Sequence, residues 1–278
     1  MSLIGNQLPA NIHPTTANGQ IFMLTTEERN ARIIATLKKQ NPTVTNFSHD
    51  IGLPTKAVGH RSGIDTSISI LRSYRKDHRR GSQNVEPQEV IDVLVDAGVE
   101  RWVLMGLYGY VGYLAMPRAT QDVDVLVDYD ELELSVEAIT KRWPALVVDR
   151  QEVVVRFRDP GEIAIDGEMK QVIDLMLPSN SCYQAVLKKF HRIDEATGLR
   201  IPIIEAACAS KFAALVSPYR EWDKKNYDAG DLRSIMVPNH STLDRGLLNE
   251  LGDLVYPDGG KELLEFLQLA IDKRPFPV

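Results

Sequence analysis

The spacing of apolar positions changes several times along the chain, and each change marks an element. Val90, Ile91, Val93, Leu94 and Ala97 recur at helical spacing behind Pro87, with Gly98 as a stop, so the pattern predicts a helix over 87–98. Residues 102–105 form a short, wholly apolar run that reads as a buried strand. A glycine-bearing turn and an apolar segment to Met116 follow. Residues 122–127 alternate strictly between polar and apolar, as a strand with one buried face does. The pattern then predicts a helix over 130–142 and strands over 146–149, 152–158 and 170–177. Beyond these it predicts helices over 181–191, 204–217, 224–236, 243–255 and 260–272.

Upstream, Thr25-Thr26-Glu27-Glu28 has the form of a capping box opening a helix to about Gln40. Another helix is expected from Thr66 to Arg79, and 81–84 reads as a linker. The expected class is therefore α/β (α+β), a mixed β-sheet flanked by helices, with a helical C-terminal region. The expected division is an N-terminal extension over 1–84, a core over 85–180 and helices over 181–278.

Composition narrows the classes. With 278 residues, 44% hydrophobic, and a formal charge of −6, the chain reads as an ordinary soluble globular protein with no overall attraction for nucleic acid. Cys182 and Cys208 are expected to be small buried side chains, not a disulfide framework, and the usage fits a reducing cytoplasm. The first twenty residues lack an apolar signal core, and the uncharged apolar run 102–117 is too short to span a bilayer, so a cytoplasmic protein with no membrane partner is expected. The six histidines show no metal-ligand spacing.

The acidic residues carry the candidate chemistry. Side chains two apart in a strand share a face, so Asp122 and Asp124 project together while Val123, Val125 and Val127 turn into a core. Two ionised carboxylates that close repel, and an all-oxygen pair suits magnesium. Gly106 and Gly109 sit where the backbone can turn tightly beside phosphate oxygens, Arg118 can reach an anion, and the Thr120 hydroxyl lies two residues before Asp122. Asp174, alone in the apolar run 172–177, is costly unless paired or metal-bound; a structural salt bridge is the competing explanation. Lys211 lies in an alanine-rich helix, where its stem crosses packed surface. Asp228 and Asp231 share a helix face three residues apart.

In this order the pieces resemble the nucleotidyltransferase superfamily, most closely the AbiEii-type nucleotidyltransferases of bacterial abortive-infection and toxin–antitoxin systems. The matching pattern is an apolar strand, a glycine turn, Arg118-x-Thr120-x-Asp122-x-Asp124, the strand residue Asp174, Ile201-Pro202-Ile203 leading into the helix of Lys211, and Asp228-x-x-Asp231-Leu232. It spans roughly 88–236, and 117–127 is its specific part. It departs from the family at Leu107, where a second Gly or a Ser is usual. The resemblance implies a nucleotidyltransferase-like core in which Asp122, Asp124 and Asp174 hold two Mg2+ ions. Asp174 would also help deprotonate an acceptor hydroxyl. Gly106, Arg118, Thr120 and Asp228 would serve the nucleotide, and Lys211 and Asp231 the nucleotide and the geometry of the site. It further implies transfer of an NMP from an NTP, an RNA or tRNA end as acceptor, and a cognate antitoxin as possible partner.

Three alternatives compete. An aminoglycoside-like small-molecule nucleotidyltransferase would need an acidic sugar pocket, for which Asp149, Asp159, Glu162, Asp166 and Glu168 are available. A catalytically inactive, nucleic-acid-binding or regulatory protein would use the basic run 72–80. A dinucleotide-dependent oxidoreductase would use Gly106, Gly109 and Gly112, but Pro117 would break the helix that fingerprint requires.

Overall fold

The computed structural model describes residues 56–78, 85–164 and 167–277, all within a unit that spans Ser48–Val278. The predicted helix at 25–40 lies outside the described residues. The order is α1 (His60–His78), α2 (Pro87–Asp96), β1 (Trp102–Leu104), α3 (Gly106–Tyr110), β2 (Val123–Val127), α4 (Leu132–Arg142), β3 (Val147–Arg150), β4 (Val154–Ile163) and β5 (Met169–Met176). Then come α5 (Ser181–Lys188), β6 (His191–Ile193), β7 (Arg200–Pro202), α6 (Ile204–Val216), α7 (Trp222–Asn239), α8 (Arg245–Asp253) and α9 (Gly259–Ile271).

Five strands form one mixed sheet in the order β1-β2-β5-β4-β3. Only β2 and β5 run parallel; the other neighbours are antiparallel. The antiparallel β1–β2 pair excludes the parallel crossover of a dinucleotide-binding fold. Val123, Val125 and Val127 are buried as their spacing predicts, and Leu126 is buried too, because β2 is covered on both faces beyond Asp124. The five-residue α3 stands where a turn was expected. Two of its residues are glycines, so tertiary burial of Leu107, Tyr108 and Tyr110 holds it. Likewise β6 and β7 pair as a hairpin inside the region expected to be helical, with strands too short to show a period.

Helix α1 braces this framework. His60 Nε2 meets the Gly109 carbonyl at 3.0 Å, and Ser67 Oγ donates to the Arg118 carbonyl at 2.5 Å. From the basic run, Arg72 stays solvent-exposed while pairing with Glu86, and Arg75 is buried. Cys182 and Cys208 are free and buried. No helix among the described residues is long and apolar enough to cross a membrane.

Candidate active site

The parallel register of β2 and β5 is the decisive local fact. Asp124 lies directly opposite Asp174, and registered partners in a parallel sheet point to one face about 5 Å apart. Asp122 precedes β2 by one residue and lies two before Asp124, so it extends the same face. All three line one cleft of about 600 Å3, together with Gly106, Arg118, Thr120, Lys211, Asp228 and Asp231. The nine residues to which the resemblance gives a role in the site therefore all reach the same hollow. A second hollow, of about 680 Å3, shares Asn180, Ala213 and Ser217 with it, but its one carboxylate, Glu262, is bonded to Tyr256.

Gly106 is fixed by its neighbours. Its φ of +54° favours glycine, and a Cβ there would overlap the Asp124 carboxylate. The Met105 N–H donates to the Asp124 carbonyl at 2.8 Å, which draws the start of α3 against β2. Leu107, the departure from the family pattern, turns its side chain into the core.

The carboxylates bear the mark of mutual repulsion. Burial, then the charges of Asp122 and Asp174, push Asp124 well above the usual carboxylate range. Burial, then the charge of Asp122, raise Asp174 to about 6, against the pull of Arg156 and Arg158. Its Oδ1 is buried with no hydrogen-bond partner, while Oδ2 faces Arg156 Nε at 3.6 Å. Asp122 accepts from the Thr120 hydroxyl and from Gln171 Nε2, the latter at 3.1 Å. As they stand, no three His, Cys, Asp or Glu side chains among the described residues group tightly enough to hold an ion. Asp122 is drawn toward Thr120 and Gln171, and Asp174 toward Arg156. Asp124 and Asp174 are neighbours in the sheet register, and Asp122 lies two residues before Asp124.

A cationic wall faces the carboxylates. Lys211, from the middle of α6, lies 2.9 Å from both Asp228 and Asp231 on α7. Asp231 also accepts from Tyr110 Oη at 2.6 Å and, through both oxygens, from Arg118 at 3.0 and 2.8 Å. Arg220 donates to Asp228 at 2.8 Å. Burial alone would neutralise these groups. Instead Lys211 and Arg118 hold Asp231 below its ordinary value, and the surrounding oxygens hold both cations above theirs. Three cations against two carboxylates leave this wall one positive charge in excess.

Several contributors escaped the sequence reading. Arg156 sits opposite Asp174 in the β4–β5 register, and its place at period two in 154–158 was the available signal. Tyr110 is buried, and its hydroxyl bonds Asp231. Gln171 and Arg220 had no distinguishing signal. Of the acids considered for a sugar pocket, Asp149 pairs with Arg158, and none of the four described lines the cleft.

No protein-family model and no curated protein matches the chain. Among solved structures, it is similar to an antigenic nucleotidyltransferase-like protein from Paracoccidioides brasiliensis, at 15% identity and a TM-score of 0.37, over 64% of this chain and 89% of that one. It is also similar to terminal uridylyl transferase 4 from Trypanosoma brucei with bound GTP, at 13% identity and a TM-score of 0.29, over 74% of this chain and 72% of that one. Likeness at this level carries no functional argument.

Proposed function

We propose that the chain is a Mg2+-dependent nucleotidyltransferase that moves an NMP from an NTP to a hydroxyl, with an RNA or tRNA end as acceptor. The observation that carries this proposal is the registered Asp124–Asp174 pair, extended by Asp122, on the face of the cleft that meets Gly106.

The residues fit the metal. The donors are all carboxylate oxygens, one of them buried without a partner, and the repulsion among them is what a divalent cation offsets. Two magnesium ions at Asp122, Asp124 and Asp174 would neutralise charge on the phosphate oxygens and acidify the acceptor hydroxyl. The remaining work falls to the chain. The excess positive charge of Lys211, Arg118 and Arg220 suits the triphosphate, and the cleft volume lies within the ordinary range for small-molecule sites. Asp231 and Asp228 aim these cations, and Tyr110 fixes Asp231. Thr120 and Gln171 orient Asp122. Asp174 accepts the hydroxyl proton at Oδ1 as the hydroxyl oxygen bonds to the α-phosphorus and pyrophosphate leaves.

The finer assignment, an AbiEii-type enzyme with a cognate antitoxin, rests on the pattern across 117–127. An aminoglycoside-like acceptor is less favoured, because the rim of the cleft carries Arg220, Lys224 and tyrosines where a cationic drug would need acids. The test is incubation with each labelled NTP, Mg2+ and total RNA, for wild type and Asp122→Ala. Label in wild type alone is expected; equal label in both samples ends the proposal.

A further inference from the structure

Tyr219, Trp222 and Tyr227 are the three most exposed large apolar side chains among the described residues, at 95%, 67% and 75%. All fall within nine consecutive residues, 219–227, at the α6–α7 junction and the start of α7. Exposing so much aromatic surface is costly unless something covers it. The segment contains no aliphatic residue. Its aromatics are interleaved with Arg220, Lys224 and Lys225 against Glu221 and Asp223, a local excess of one positive charge in a chain that carries −6 overall. An aliphatic-free set of rings and cations is poorly suited to packing against another protein's core, and well suited to unpaired bases and their phosphates.

Position supplies the second argument. Tyr219, Arg220, Lys224 and Tyr227 line the mouth of the same cleft as Asp122, Asp124 and Asp174. On α7, Lys224 and Tyr227 stand one turn ahead of Asp228 and Asp231 on a single helix face, so a strand lying over them points toward the carboxylates. The Lys224–Glu221 bridge is solvent-exposed on both sides, and a phosphate displaces such a pair at little cost.

We infer that Tyr219, Trp222 and Tyr227, with Arg220 and Lys224, form a stacking platform that receives the unpaired end of a single-stranded RNA and presents its terminal hydroxyl to the cleft. The inference rests on the proposed transfer reaction for the role of that hydroxyl; the binding itself does not need the metal.

The protein carries its own reporter. Trp102 and Trp143 are buried, so Trp222 is the exposed tryptophan. The full chain in EDTA is titrated with single-stranded oligouridylate of about ten nucleotides while tryptophan emission is followed, and affinity is measured in parallel with an end-labelled oligonucleotide. Binding should change Trp222 emission, weaken steeply with salt, and fall about a hundredfold in a Tyr219→Ala/Tyr227→Ala double variant, roughly tenfold per lost ring. Both tyrosines are exposed, so the double variant should fold and keep the Mg2+-induced rise in Tm of the wild type. Asp122→Ala should bind the oligonucleotide normally even though it cannot transfer, which separates failure of this platform from failure of the transfer reaction. Unchanged emission, undiminished binding by the double variant, equal competition by a duplex, or shielding of Trp222 that grows with protein concentration would each overturn the inference.

Discussion

Replacing Asp174 by Asn should make the metal-free protein more stable, and by an amount that depends on pH. Asp174 ionises at about 6 in the folded protein against an ordinary 3.8, because burial and the Asp122 charge disfavour its anion. A raised folded value means that its contribution to stability is complete below about pH 4 and is lost as pH rises through 6. The difference of roughly two units corresponds to about 3 kcal/mol at neutral pH. For a unit of this size that is on the order of 6–12 °C in Tm, with the Arg156 attraction already counted in the net shift. Thermal unfolding in EDTA should therefore show wild type and Asp174→Asn melting together near pH 4. The variant should melt several degrees higher at about pH 7.5. Saturating Mg2+ should close that gap, since binding at about a hundred times Kd adds roughly 3 kcal/mol to the wild type. A variant that melts lower than wild type in EDTA at neutral pH would show that the Arg156 pairing outweighs the repulsion. Asp174 would then be a structural acid, and the reasoning from repulsion to a cation site would fail.

Further outcomes follow from other contacts. Asp231→Ala leaves Lys211 with Asp228 alone and takes from Arg118 its carboxylate partner, and should cost about 3–5 kcal/mol in urea unfolding; a loss under about 1 kcal/mol would mean that solvent already compensates these cations. Gly106→Ala places a methyl on the Asp124 carboxylate at a left-handed φ, so it should lower Tm and abolish the Mg2+-induced rise, and a wild-type Mg2+ response would contradict that packing. Cys182, raised to about 12 by burial, should stay unreactive toward a thiol reagent until the protein unfolds, as should Cys208; rapid labelling of the native protein would contradict their burial.

What the sequence made legible was local. The period of two across 122–127 placed Asp122 and Asp124 on one face, and the three-residue spacing of Asp228 and Asp231 placed both on one helix face, which the structure turns toward Lys211 on α6. Long-range partners could not be read that way. Asp174 joins the pair only because β5 enters the sheet beside β2 while β3 and β4 are carried to the far edge, a choice no local period encodes. Arg156 reaches the site through that same arrangement. Helix α3 forms against its own propensity, held by burial, and the β6–β7 strands of three residues are too short to alternate visibly. Arg75 belongs to the basic run offered for nucleic-acid contact, yet it is buried.

The most direct measurement is anomalous diffraction at the manganese edge from crystals grown with Mn2+ and a non-hydrolysable NTP. A peak should lie among the carboxylates of Asp122, Asp124 and Asp174, with the triphosphate against Lys211 and Arg118, and it should vanish in Asp124→Asn. Manganese bound elsewhere, with Asp174 still facing Arg156 and Asp122 still held by Thr120 and Gln171, would contradict a shared cation site.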